Sequence, residues 1–159
     1  MDTYRRLFGP EPIHTDWGLA VLRVVVGFTF FMHGWQKLFE MGVPALTEAF
    51  GMMGVPMPAV TGPLVGGLEL VAGALLLVGL ASRLAAVLLA IDMLVAILLV
   101  HLSGGFFLPN GVELVLLLFA GALTIVLAGP GAFAVDRAIA KAEHRSGRGR
   151  QRVASSWSR

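Results

Sequence analysis

The sequence predicts an all-α integral membrane protein, a four-helix bundle with a short interfacial helix in its first outer loop. Three observations lead there. First, 57% of the 159 residues are hydrophobic, only 14% are charged, and the mean hydropathy is +0.81. Soluble domains carry roughly 45–50% apolar and about 25% charged residues, so a core of this length cannot hide the surplus, and lipid is the solvent that suits it. Second, four apolar segments, 17–37, 60–80, 84–102 and 112–130, reach the roughly 20 residues that cross the hydrocarbon layer. Third, the net charge of +2 conceals an asymmetry, because most of the Lys and Arg lie at the two ends of the chain.

The first segment starts after Asp16 and ends in His33-Gly34-Trp35-Gln36-Lys37. It is longer than the 7–15-residue core of a signal peptide and has no small-x-small cleavage site, so it reads as a retained anchor. The loop at 38–59 is rich in Gly, Pro and Met. Within it Leu46, Ala49, Phe50 and Met53 fall at helical spacing, with Thr47 and Glu48 on another face, the pattern of a helix lying at the membrane surface. There it either roofs a site between the spans or is a linker bathed in headgroups. The third segment carries Asp92, which costs about 3 kcal/mol at a helix centre, against roughly −0.3 to −0.6 for each Leu, Ile or Val. About a dozen such residues outweigh it, and the segment inserts. Residues 1–144 then form one transmembrane domain. Residues 145–159, with Ser-Gly-Arg-Gly-Arg-Gln-Arg, form a basic tail too polar to fold alone, whose charge suits anionic lipid.

Basic flanks set orientation. Arg5 and Arg6 precede the first span, and Arg83 lies in the turn between the second and third. The tail carries Arg137, Lys141, Arg145, Arg148, Arg150, Arg152 and Arg159, whereas the opposite side offers only Lys37. Both termini are expected in the cytoplasm.

Ionisable residues inside a bilayer face protein rather than lipid, and small residues mark the faces where helices meet. In the first span the stripe is Arg23, Gly27, Phe30, Gly34 and Lys37; in the second it is Gly62, Gly66, Glu69 and Gly73. In the third it is Ala85, Leu89, Asp92 and Ala96, and in the fourth Glu113, Leu117, Ala120, Thr124 and Ala128. Arg23, Lys37, Glu69, Asp92 and Glu113 are therefore the candidate ligand-binding residues. At about 1.5 Å rise per residue, Arg23 falls within reach of Glu69 and Asp92 in an inner layer, and Lys37 with Glu113 in an outer one. Such charges either hold helices together as polar glue or line a pocket for a quinone-like head group or a proton relay.

His33 and His101, both near the outer surface, raise haem ligation as a lesser reading. At 100° per residue His101 is turned about 180° from Asp92, and His33 lies about 80° off the charged stripe, which places both with the headgroups instead. The chain contains no cysteine. Disulfides, thiolate metal sites, iron–sulfur clusters and an internal thiol relay are thereby excluded, so any redox centre must reside on a bound cofactor or a partner.

Several motifs in order resemble the DoxX family of small four-helix bacterial membrane proteins over about residues 17–137. They are Leu22-Arg23 with Gly27, His33-Gly34-Trp35-Gln36-Lys37-Leu38, and Gly54-Val55-Pro56-Met57-Pro58. Gly66-Gly67-Leu68-Glu69, Gly79-Leu80-Ala81-Ser82-Arg83, and Gly129-Pro130-Gly131 through Val135-Asp136 complete the series. Arg23, Lys37, Glu69 and Arg83 match positions typical of the pattern. The resemblance implies an inner-membrane accessory subunit: some relatives look like the small subunit of a thiosulfate:quinone oxidoreductase, and others are tied to oxidative or thiol stress. The expectation is a membrane subunit of a quinone-linked or stress-related redox complex, at most part of an oxidoreductase whose redox centre is elsewhere. Its expected cofactor is quinone, with no covalently bound group. Its expected partners are the bilayer, a second copy or partner subunit and a soluble redox protein, and not nucleic acid. The alternatives are a non-enzymatic scaffold that recruits soluble proteins, and a small-molecule or proton transporter.

Overall fold

The computed structural model describes residues 12–143, with side-chain surroundings from residue 15 onward. Arg5, Arg6 and the basic tail from 145 lie outside the described residues. Every regular element among the described residues is a helix. The helices are α1 (Pro12–Trp35), α2 (Gly42–Met52), α3 (Pro58–Val78), α4 (Ser82–Ala96) and α5 (Glu113–Ala128), followed by a helical stretch at 135–143. Thr15–Met52, Pro58–Val78 and Ser82–Gly104 contain windows long and apolar enough to cross a bilayer. With 16 residues, α5 is shorter, spanning about 24 Å.

The first expected span does not stop at Lys37. Its helix continues through a π-helical turn, Gln36–Met41, and then bends at Gly42, where φ is +77°. Beyond that bend α2 folds back onto α3, burying Leu46 and Phe50. The interfacial helix expected in the loop is thus present, and its apolar face covers protein. A second π turn, Ile97–His101, extends α4.

Close approach of backbones joins α1 to α3. A Cβ added to Gly27 would lie 2.8 Å from the Leu76 Cβ, and one added to Gly73 would lie 2.5 Å from the Phe31 nitrogen. A Cβ on Gly34 would overlap the Leu70 backbone nitrogen. Without Gly at these positions the helices could not approach so closely, which is how small residues drive association where lipid is as apolar as leucine. Phe30, Leu76, Ala86, Leu89, Ala122 and Ile125 form the centre of the core.

The stripes expected on the first three spans are the buried ones, but the fourth is not. Leu117 is 70% exposed, and Ala120, Thr124 and Ala128 also face outward. The packed face of α5 carries Val115, Leu118, Gly121, Ala122 and Ile125. Glu113, expected on the inner face, instead turns its carboxylate into the preceding loop, where it accepts the Leu108 N–H at 2.8 Å.

Asp16 meets Arg137 at 2.6 Å, and the Ala132 N–H donates to the Asp16 carbonyl. Both ends of the described chain and the α3–α4 turn therefore gather at one end of the bundle, here the terminus end. The α2 segment and the 103–112 connection lie at the other, the loop end.

Candidate functional site

The intramembrane charges form two groups, but not the two that sequence spacing suggests. At the terminus end, Arg23 is 2% exposed and pairs with no acid among the described residues. Its Nη1 donates to the Leu76 carbonyl at 2.5 Å and the Leu77 carbonyl at 3.0 Å. Its Nε donates to Pro130 at 2.9 Å and Nη2 to Ala132 at 3.3 Å. The carbonyls of the last turn of a helix have no intrahelical partner, and a guanidinium with five N–H donors can serve several at once. Arg23 thus ties the end of α3 to the segment that follows α5.

Asp136 completes this knot. The N-terminus of α4 has no side-chain cap of its own. Asp136 supplies one from a distance, accepting the Ala81 N–H at 2.8 Å and the Ser82 N–H at 2.9 Å. Burial pushes its carboxyl upward, but hydrogen bonds from Ser82 and Ala81 and the nearby Arg23 charge hold it below the ordinary value. The motifs around Arg23, Gly79–Arg83 and Gly129–Asp136 are therefore parts of one structural fastening.

The second group surrounds a cavity of about 430 Å³ in the loop-end half of the bundle. Lys37 and Glu69 form an ion pair there, replacing the expected pairing of Lys37 with Glu113. Side chains on a helix lean toward its N-terminus, so Lys37 reaches back from the end of α1 to Glu69 in the middle of α3. Asp92 lines the same cavity from α4. Among the described residues its Oδ2 is buried without a hydrogen-bond partner. Of the five candidates, the cavity gathers Lys37, Glu69 and Asp92, and it excludes Arg23 and Glu113.

His33 and His101 also line the cavity, although regular helical spacing turns them away from the charged stripes. For His101 the reason is the π turn. A π turn closes i to i+5, so it takes in an extra residue and rotates the residues beyond it back by about 100°. Its Nδ1 lies 3.1 Å from the Ala96 carbonyl, five residues earlier. The turn at Gln36–Met41 likewise carries Lys37. No helical wheel at regular spacing could place His101 here.

The remaining wall is apolar and draws on each of α1 to α5: Phe30, Phe50, Val65, Met93, Leu99 and Leu118 are among its members. An apolar chamber with a few convergent polar groups is the usual form of a small-molecule site. Among the described residues no group of three or more His, Asp or Glu could hold a metal ion.

Comparison with known proteins fits this architecture. The DoxX family model matches residues 18–102, a stretch that holds Arg23 and every cavity wall except that of α5 and the preceding loop. An uncharacterized protein of Haemophilus influenzae is 38% identical over 122 residues, 74% of this chain and 87% of that one. A Bacillus subtilis protein named "Putative oxidoreductase CatD" is 32% identical over 119 residues, 75% of this chain and 84% of that one. An uncharacterized membrane protein of Mycobacterium tuberculosis is 31% identical over 148 residues, covering 83% and 88%. No solved structure matches the chain. With half its length under the family model and relatives aligned along most of theirs, this membrane protein belongs to the DoxX family.

Proposed function

We propose that the chain is the small membrane subunit of a redox complex in the bacterial inner membrane, and that the loop-end cavity binds a quinone. The observation that carries this reading is the convergence of Lys37, Glu69, Asp92, His33 and His101 on one apolar chamber inside the helix bundle. A similar protein bears an oxidoreductase name, which supports the same reading. The chain has no cysteine, so the redox-active centre that exchanges electrons with the quinone belongs to a partner subunit or soluble redox protein. With the basic flanks inside, both termini are cytoplasmic and the cavity lies in the periplasmic half.

The chamber's residues suit such a ligand. A quinone ring presents two oxygen acceptors on a flat apolar body. The Lys37 ammonium, held by Glu69, is a donor for one of them. Asp92, with an unpartnered oxygen, is the group able to hold or release a proton at the site, as proton-coupled redox chemistry requires. The quinone itself supplies the electron-accepting chemistry.

Asp92→Asn separates this function from packing, since it keeps the shape and removes the titrating group. Wild-type protein in lipid nanodiscs should bind a benzoquinone carrying a decyl tail. Asp92→Asn should weaken that binding by about tenfold while leaving the melting temperature nearly unchanged. Wild-type protein that binds no quinone in lipid overturns the reading.

A further inference from the structure

The cavity is not closed on all sides, and the residues at its mouth indicate the route by which a ligand enters. A side chain that lines the chamber and is also about half exposed stands at the opening. Val95 (46%) and Leu99 (54%) on α4 and its π extension meet both conditions. Both lie on the same edge of α4 as Asp92, about one and two turns nearer the loop end. On α3, Val65 lies one turn from Glu69 in the same direction and also lines the chamber. The three frame a window between α3 and α4, below α2. Met53 (42%) and Leu108 (54%) meet the same two conditions and mark a second opening at the loop end.

Depth decides what lies outside that window. Val95 stands 13 residues into the apolar stretch Ser82–Gly104, about 20 Å from its start and well short of its far end. The window therefore opens onto lipid. Its frame is wholly aliphatic, whereas Glu69 and Asp92 lie about a turn deeper on the same two helices, with Lys37 paired to Glu69. A ligand crossing the window meets hydrocarbon first and charge last.

Resting on the reading of the chamber as a ligand site, we propose that its ligand is an amphiphile that enters sideways from the bilayer, polar head first, through the Val65–Val95–Leu99 window. The head comes to rest against Asp92 and Lys37, and the hydrocarbon tail remains in the window between α3 and α4. The ligand class is a membrane-partitioned ring with an aliphatic chain, in contrast to a water-soluble molecule entering from the loop end past Met53 and Leu108.

The test uses full-length protein in nanodiscs and two probes, a dimethoxy-methyl-benzoquinone with a decyl tail and the same ring without one. Leu99→Phe and Val65→Phe narrow the window from opposite sides, and Met53→Phe narrows the loop-end route. The expected result is a loss of about tenfold or more for the tailed probe in both window variants. The tailless ring should lose clearly less than the tailed probe in the same variants, and melting temperatures like that of wild type show that each variant is folded. Two results overturn the lateral route while leaving the chamber as a ligand site. One is equal binding of the tailed probe by wild type and both window variants; the other is loss confined to Met53→Phe. Failure of wild type to bind either probe overturns the chamber itself.

Discussion

The Arg23 guanidinium donates to the Leu76 carbonyl at 2.5 Å, not to a carboxylate. Each hydrogen bond to a charged group contributes roughly 1.5–3 kcal/mol, and a buried carbonyl left bare costs about 1–3. Arg23→Leu should therefore lower stability by about 3 kcal/mol or more, read as a drop in melting temperature in detergent. Neutralising Glu69 or Asp92 in the same protein should bring no recovery, because distant sites without shared partners add. Recovery with either acid neutralised would show that Arg23 pairs with it after all.

Lys37 and Glu69 should behave in the opposite way. The Glu69 side chain is almost wholly buried, and removing one member of a buried pair costs about 3–5 kcal/mol by stranding the other. Lys37→Met should destabilise strongly, and adding Glu69→Gln should restore much of the loss. A double-mutant cycle measured by thermal unfolding checks this; simple additivity would mean the two charges are not paired.

The α1–α3 seam makes a sharper packing prediction. Gly34→Ala and Gly73→Ala force a methyl group into neighbouring backbone, and overpacking of this kind costs about 1–3 kcal/mol. Gly67→Ala on the same helix as Gly73 meets nothing within 4 Å and should be neutral. Melting temperatures of the three variants distinguish these outcomes, and an equal fall in all three would mean that the seam is not where the helices touch.

Acid should loosen the terminus end through Asp136. Its folded value lies below the ordinary one, so its stabilisation is fully present above the unfolded value of about 3.9. That contribution is lost as pH falls through the folded value. Wild type should thus lose stability below about pH 4 more steeply than Asp136→Asn, in which the group does not titrate. Parallel pH–melting curves for the two proteins would contradict the capping role.

Much of the fold was legible in the sequence because membrane helices leave strong marks. The stripes through Gly27 and Gly34, through Gly66 and Gly73, and through Ala85 and Leu89 name the buried faces correctly. The α5 stripe failed because Glu113 sits in the first turn, where a carboxylate can serve the loop N–H of Leu108 and so says nothing about the helix face. Counting side-chain charges alone could not find the partners of Arg23, since they are backbone carbonyls created by the ends of other elements. The site was half legible. Lys37, Glu69 and Asp92 follow from spacing, but His101 enters the chamber only through a π turn, and regular 100° spacing contains no signal for one.

Orientation has its own check. Cysteine introduced at Ser103 should react with an impermeant thiol reagent applied to intact cells, and cysteine at Lys141 should react only after lysis. Labelling of Lys141→Cys in intact cells would invert the assignment of the cavity to the periplasmic half.

The central claim, that the chamber between Lys37, Glu69 and Asp92 receives a quinone, is tested most directly by photoaffinity labelling in lipid. An azidoquinone irradiated with the reconstituted full-length protein should attach to chamber residues such as His33, Met93 or Leu99, as located by mass spectrometry, and excess unlabelled decyl-benzoquinone should suppress the adducts. Adducts confined to lipid-facing side chains such as Leu117 and Leu127, unaffected by the competitor, would show that the quinone merely dissolves in the surrounding bilayer, and would contradict the account.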